Sequence, residues 1–412
     1  SLSILYHLFY DYLTENGLST RAGRYRKVAR DIDKLDLNHF PNIMMAGFFA
    51  LTESEKMIFE HLKKLDNTYF IFQNGAGIED TIKKLKLKAE VIGDVHEPDI
   101  SFYRTMDSHG EVFALNQIIS RCKSFDQRDL IVLPLPETLF AIVQHTVGFT
   151  RKNYNISMGY PLIRTPLYAL FEAIGKFLES RNGNSYSIQA YLRLVLHPYV
   201  KNIYFDRVSE PTRIIFHTIE EIFSQSHQRF IGLEEIEEDS RILEECSNRL
   251  KKNGGKIDQE KIRNQLRTIH QILIKSFEQI ENIEDFCNKL LKFVSFISHH
   301  SQANLHPYTV PFIKEMIDNL YRLKISGLRH EKFVTTSSYF KLLRSYMRTI
   351  RYPFQGTPVK GIQILGFLET RGLKFDTVYF LDANEGVIPE TSKEDTLLPL
   401  SLIHISEPTR PY

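Results

Sequence analysis

The chain has 412 residues, 42% of them hydrophobic and 25% charged, and a formal net charge of +2. That length favours two or three domains over a single core, and the near-neutral balance excludes a whole-molecule field pulling the chain onto a polyanion, so nucleic-acid contact must come from local patches. No stretch is long and apolar enough to span a bilayer and none reads as a signal peptide, which points to a soluble, cytoplasmic protein with no membrane partner.

In chain order, residues 1–40 follow a helical period, with Leu2, Tyr6, Phe9 and Leu13 on one stripe. Within them "RAGRYRKVAR" carries Arg21, Arg24, Arg26, Lys27 and Arg30 around one tyrosine. That is the pattern of a phosphate-tracking helix face, and equally of a solvated helix surface. "FPNIMMAGFFAL" (40–51) is a continuous apolar run, as expected of a strand buried on both faces. Thr52 and Glu55 then spell a capping box for a helix, and "NTYFIFQ" (67–73) reads as a second strand. Strand, helix, strand at this spacing predicts a βαβ unit and a parallel sheet.

A second α/β block follows: "DISFYRTMD" as strand, "GEVFALNQIISRCKSF" as helix, "DLIVLPL" as strand, "ETLFAIVQHTVGF" as helix, and "YNISMGYPL" as strand and turn. From about Tyr186 to Arg344 helical periods dominate, with "KKNGG" (251–255) as a loop. Strand patterns return at "VKGIQILGF" and "DTVYFLDA". The predicted fold is therefore α/β with parallel sheets, its second α/β domain interrupted by an all-α insertion. Both ends read as truncated: Ser1 falls inside a helical pattern. Leu400–Arg410 matches, residue for residue, the translation of a transposase adapter used in DNA library preparation, so 399–412 is expected to be a sequencing-derived tail.

Most other clusters have a plain structural account. Cys122, Cys246 and Cys287 are too far apart for a metal pattern and are expected to be buried free thiols. His299, His300 and His306 lack a carboxylate or cysteine at ligand spacing. Glu234–Glu245 is an acidic run expected to be solvated or partner-facing. Tyr154, Tyr160 and Phe354 suit base stacking or, more commonly, a core. Arg322, Lys324, Arg329 and Lys332 form a second basic stretch, again readable as a solvated surface. "LKFDTVYFLD" and "KLDNTYFIFQNG" both lack the acid-x-Lys step of a nuclease core.

Several segments, taken in order, resemble UvrD/RecB-type superfamily 1 helicases, and more closely the AddB-like inactivated helicases that carry a PD-(D/E)XK nuclease. "IMMAGFFALTESEKMIFEHL" is similar to the Walker B strand and following helix, and "HGEVFALNQII" to the helix after the first RecA-like domain, with Glu111 and Ala114 in the usual places. "DLIVLPLPETLFAIVQHTV" resembles motif IV, and "YLRLVLHPYV" the entry to the inserted helical domain. "LETRGLKFDTVYFLDANEGVIP" (368–389) resembles motif V and its E-G-x-x-P turn. The resemblance implies RecA-like (P-loop NTPase-type) domains: the end of a degenerate first one over 1–97, and a second in two pieces, 98–185 and 345–398. A helical insertion over 186–344 separates those pieces.

Departures from the pattern shape the expected function. No G-x-x-x-x-G-K-[ST] loop occurs, and Ala46 and Gly47 stand at the Walker B position where the family's acids hold magnesium. Gly366 and Leu368 replace the Thr and His of motif V. The resemblance therefore implies a DNA-binding scaffold that does not hydrolyse ATP, belonging to a double-strand-break-processing helicase-nuclease. It expects no catalytic residue, metal or cofactor in this chain, a downstream Mg2+ nuclease, DNA as partner, and an AddA-like helicase-nuclease subunit beside it. Arg371, Gly372 and Lys374 are the motif V contacts: Arg371 clamps a DNA phosphate, or pairs with Glu369 or Asp376 to fix the turn. Leu373 and Phe375 are expected to anchor that turn in the core. The competing functions are an active ATP-dependent helicase and a protein-interaction module without DNA contact.

Overall fold

The computed structural model describes residues 2–48, 51–75, 77–92, 98–122, 125–147, 154–252, 257–302, 309–354 and 361–388. The tail 399–412, Gly254, Gly255 and His306 lie outside the described residues.

Side-chain caps fix where the first helices begin. α1 spans Leu2–Glu15, and α2 (Arg21–Asp31) starts at Thr20, whose hydroxyl accepts the Gly23 N–H at 3.0 Å. α3 (Glu53–Leu62) starts at the reciprocal box: the Thr52 N–H donates to Glu55 Oε2 at 2.7 Å and the Glu55 N–H to Thr52 Oγ1 at 3.4 Å. It connects β1 (Ile43–Ala46) to β2 (Thr68–Ile71), and these strands pair in parallel with Met45 opposite Phe70. The βαβ unit is present, but β1 is not buried on both faces. Phe59 of α3 packs on Phe48 and Phe70, with ring centroids 4.8 and 5.3 Å apart, and covers one side. Met44, Tyr69 and Ile71 on the other side are exposed.

After α4 (Ile78–Lys84) the segment 98–107 is irregular, although its alternating pattern predicts a strand. A strand needs a ladder partner for its backbone, and no described strand pairs with it. Its Ile100, Phe102 and Tyr103 are exposed. α5 (Ser108–Arg121), capped by Asp107, leads into β3 (Asp129–Leu133), which is buried along its whole length. The helix predicted over 137–149 is, within its described residues, broken into a 3-10 turn, a short α6 (Leu139–Ile142) and a π turn over Val143–Val147.

β4 (Tyr154–Ser157) and β5 (Gly159–Pro161) precede α7 (Pro166–Glu179). β6 (Tyr186–Ser187), α8 (Ile188–Val195), α9 (Pro198–Lys201), α10 (Glu210–Ser224) and β7 (Phe230–Ile231) follow. Then come α11 (Leu233–Glu238), α12 (Ser240–Lys252), α13 (Gln259–Leu273), α14 (Ile283–His300), α15 (Thr309–Lys324) and α16 (Thr336–Met347). The helical stretch is not purely α: β6 and β7 form a two-residue antiparallel pair. β8 (Arg351–Pro353), β9 (Ile362–Gly366) and β10 (Thr377–Phe380) complete the described elements.

The chain divides into two compact units, one of Ser1–Pro134, Phe140–Lys152 and Phe367–Tyr412, the other of Leu135–Leu139 and Asn153–Gly366. In the first, β10 runs parallel to β3 with Val378 opposite Leu130. In the second, β4 runs parallel to β9, and Asn155 faces Gln363 with an amide hydrogen bond of 2.8 Å between them. The helices of this unit close on Phe171, Phe277, Phe286, Phe293 and Tyr339, all fully buried. The architecture is thus α/β with parallel strand pairs. Cys246 and Cys287 are buried free thiols, each pushed up to about 12 by loss of solvent. Cys122 departs from expectation: it is exposed, its Sγ 3.4 Å from Tyr379 Oη.

Candidate nucleic-acid interface

The Arg371 turn is built by local hydrogen bonds and one long-range clasp. Thr370 Oγ1 donates to the Phe367 carbonyl at 2.8 Å, and the Leu373 N–H to the Thr370 carbonyl at 3.2 Å. Gly372 sits at φ +72° and donates its N–H to Gln73 Oε1 at 3.0 Å. A Cβ at Gly372 would meet open space, so the dihedral alone calls for glycine. Arg371 and Lys374 are exposed, and no described carboxylate lies within ion-pair distance of either. Asp376, one of the two acids available to pair with Arg371, is instead 3.2 Å from Arg128 Nη1. The turn is therefore held without Arg371, which leaves that guanidinium presented to solvent.

Two hydrophobic anchors behave differently from the expectation. Leu373 is exposed and Phe375 half-buried, because the clasp through Gln73 rather than apolar packing fixes the loop. β10 is not a buried strand either: Thr377, Val378 and Phe380 are exposed. Beyond it, Asp382 is buried at φ +52°, and its N–H is held by Glu111 Oε2 at 3.0 Å. The Asn384–Gly386 turn closes on the Asp382 carbonyl at 2.8 Å, with Gly386 at φ +81°. Gln73 and Glu111 are thus positioning residues; their roles depend on contacts 299 and 271 residues away in sequence, which no local pattern encodes.

α2 is the second cluster. Arg21, Arg24, Arg26, Lys27 and Arg30 are all exposed, and among the described residues none has an ion pair. The only acid on the helix, Asp31, is taken by Lys34 at 2.6 Å. Arg26 Nη1 donates to Tyr6 Oη at 2.7 Å, a bond that lowers the tyrosine's pKa, and its guanidinium lies 5.8 Å from the Tyr10 ring centroid. Arg21 lies 5.8 Å from the Tyr25 ring. At 1.5 Å rise per residue the cations run along about 13 Å of helix. No hydrogen bond or ion pair among the described residues joins α2 to the Arg371 turn.

Ala46 and Gly47 stand at the carboxyl end of β1, and Gly47 takes φ +80°, so backbone geometry explains the glycine. Neither side chain offers an oxygen to a hard cation. Among the described residues no group of three or more His, Cys, Asp or Glu is placed to hold a metal ion. His299 and His300 turn their Nδ1 atoms to the Ser295 and Phe296 carbonyls at 2.7 and 3.0 Å. Tyr160 is buried against Phe312 at 5.7 Å, a core contact, whereas Tyr154 is part-exposed.

The acidic run is not simply solvated. Glu237 is 3% exposed, and its Oε1 accepts from His270 Nδ1 at 2.8 Å and lies 3.3 Å from Lys275 Nζ. His270 Nε2 faces the buried Tyr191 hydroxyl at 2.9 Å. Neutral His270 satisfies both neighbours, donating from Nδ1 and accepting at Nε2, and burial holds its pKa below the usual histidine value. No helix among the described residues is long and apolar enough to cross a membrane. A scan against protein-family models and a search of curated proteins each find no match to this chain.

Proposed function

We propose that the chain is a non-hydrolysing, helicase-like DNA-binding scaffold of AddB-like type, part of a cytoplasmic assembly that processes double-strand breaks. In this reading 1–97 is the end of a degenerate first RecA-like domain, and 98–185 and 345–398 are the two pieces of a second one interrupted by a helical insertion at 186–344. An AddA-like subunit and a Mg2+-dependent PD-(D/E)XK nuclease supply the motor and the cleavage chemistry. The observation that carries the reading is the set of five cations on α2 that have no ion pair among the described residues, interleaved with Tyr25 and backed by Tyr6 and Tyr10. Cations without acidic partners are free to replace the counterions of a phosphate backbone. The solvent-presented Arg371 and Lys374 add to the same chemistry, and the contacts are to backbone, without base readout.

The test pairs two assays on the full chain. Fluorescence anisotropy with a labelled oligonucleotide is expected to show binding, and phosphate release with ATP, Mg2+ and DNA is expected to stay at background. DNA-stimulated hydrolysis would install the active-helicase alternative. A protein-docking module without DNA contact is the second reading, favoured by α1, whose Ile4, Leu5, Leu8, Phe9 and Tyr12 are all exposed. Absence of oligonucleotide binding at low salt would favour it.

A further inference from the structure

The turn between α15 and α16, residues 325–334, keeps aliphatic side chains in water on a backbone held by hydrogen bonds. Val334 is fully exposed, Ile325 is 71% exposed, and Leu328 is part-exposed. The Ile283 and Glu284 N–H groups at the start of α14 donate to the Glu331 and Arg329 carbonyls at 3.1 and 2.9 Å. Within the turn the Arg329 N–H donates to the Ser326 carbonyl at 3.1 Å and the Glu331 N–H to the Leu328 carbonyl at 2.9 Å. Phe333 anchors the far end. Its N–H donates to Tyr339 Oη at 3.0 Å, and its ring meets the buried Tyr339 ring edge-on with centroids 5.0 Å apart. A fixed backbone that leaves aliphatic groups in water forfeits hydrophobic stabilisation until something covers them.

Charge narrows what that cover can be. Over 321–334 the chain carries Arg322, Lys324, Arg329 and Lys332 against a single acid, Glu331, and none of them has an ion pair among the described residues. Arg322 and Lys324 close α15, where they also complement its last carbonyls. Arg329 and Lys332 lie beyond the helix and have no such role. A cover that meets the aliphatic tips and satisfies the cations has to be aliphatic and anionic at once.

A nucleic-acid base does not meet that description, because stacking needs a ring and the exposed tips are aliphatic. The Phe333 ring is engaged by Tyr339, and Lys324 Nζ lies 5.7 Å from the centroid of the neighbouring Tyr321 ring. A lipid surface takes up an extended apolar face, typically one side of an amphipathic helix, whereas this turn is a small tip. A protein segment that intersperses carboxylates with Leu, Ile or Val supplies both halves, and a receiving turn already held in place adds little ordering cost to the encounter. We propose that residues 325–334 dock an acidic, aliphatic segment of a partner protein, with Ile325, Leu328 and Val334 on its apolar side chains and the flanking cations on its carboxylates. This contact goes beyond DNA binding at α2 and does not depend on it.

The test is fluorescence anisotropy of the full chain with a labelled short peptide of Asp and Leu, beside two controls, one with Lys for every Asp and one with Ser for every Leu. Only the Asp–Leu peptide is expected to bind, with an affinity that falls as salt is raised. An Ile325→Asp/Val334→Asp variant is expected to weaken that binding by about tenfold or more, as loss of central apolar contacts does. An Arg329→Ala/Lys332→Ala variant is expected to weaken it less and to flatten its salt dependence. All four positions are exposed, and unchanged circular dichroism and melting temperature identify folded variants. No binding of the Asp–Leu peptide at low salt, equal binding of either control, or binding that survives both variants overturns the docking site. So does displacement of the peptide by an unlabelled oligonucleotide, which makes nucleic acid the occupant, or co-sedimentation with phosphatidylserine vesicles that the aspartates abolish, which makes it lipid. Peptide binding by a chain that takes up no oligonucleotide supports the docking site while removing the scaffold function.

Discussion

Gly372 holds φ at +72° and Arg371 beside it has no ion pair among the described residues, so the two neighbours separate structure from binding. Gly372→Ala is expected to cost about 1 kcal/mol in urea unfolding, from the left-handed dihedral alone. Arg371→Ala is expected to leave stability within about 0.5 kcal/mol of the parent while weakening oligonucleotide binding similarly for all sequences. An unchanged affinity removes Arg371 from the interface. The thiols give a third residue-level outcome: in the folded chain a thiol reagent should modify Cys122 alone, with Cys246 and Cys287 reacting only on unfolding. Three equivalents reacting at once would contradict their burial. The turns at 372 and 386 were legible in the sequence, because both fall in the stretch that resembles motif V and its E-G-x-x-P turn, and both glycines take positive φ. The Gln73 clasp was not, because one polar residue at a strand end carries no sign of a partner so far along the chain.

At the scale of elements, α3 follows directly from its own residues. Removing the reciprocal cap by Thr52→Ala should cost about 1 kcal/mol, measurable as a lower urea midpoint at unchanged slope. The failed strand at 99–107 shows the opposite case: alternation is local, but a strand exists only when a neighbour supplies its ladder. Burial of Glu237 was equally hidden, since an acidic run gives no hint that one carboxylate will turn inward to His270, Lys275 and Tyr191. That network has a pH signature. Burial depresses the His270 pKa, and it depresses His197 from 6.5 to about 4. Above about pH 6.5 both imidazoles are neutral folded or unfolded, and their stability contribution is complete. As pH falls towards about 4 the unfolded chain takes up protons that the folded one does not, and stability is lost. The melting temperature should decline across that window, and His270→Gln should lower it at neutral pH but flatten its acid dependence. An equally steep decline in that variant would show that His270 is not the titrating group.

For the whole molecule, a net charge of +2 hides strong local asymmetry. α2 gathers five cations that have no ion pair among the described residues, while Glu237 and Glu238 gather Arg263, Arg267, His270 and Lys275. Composition reports only the sum, so the sequence supported a patch but not its lack of ion pairs; that emerged from where the described carboxylates end. The α/β class and its parallel pairs were legible because β1, β3 and β9 are short apolar runs with helices between them. Which faces stay open was not, since that depends on what packs where. The most direct test of the account is the salt dependence of oligonucleotide binding by the parent chain and by an Arg21→Ala/Arg24→Ala/Lys27→Ala variant. The account predicts parental affinity falling steeply with salt, and a log–log slope shallower by about 2 in the variant, near 0.7 per cation removed for a single strand. Identical slopes, or affinity indifferent to salt, would contradict it.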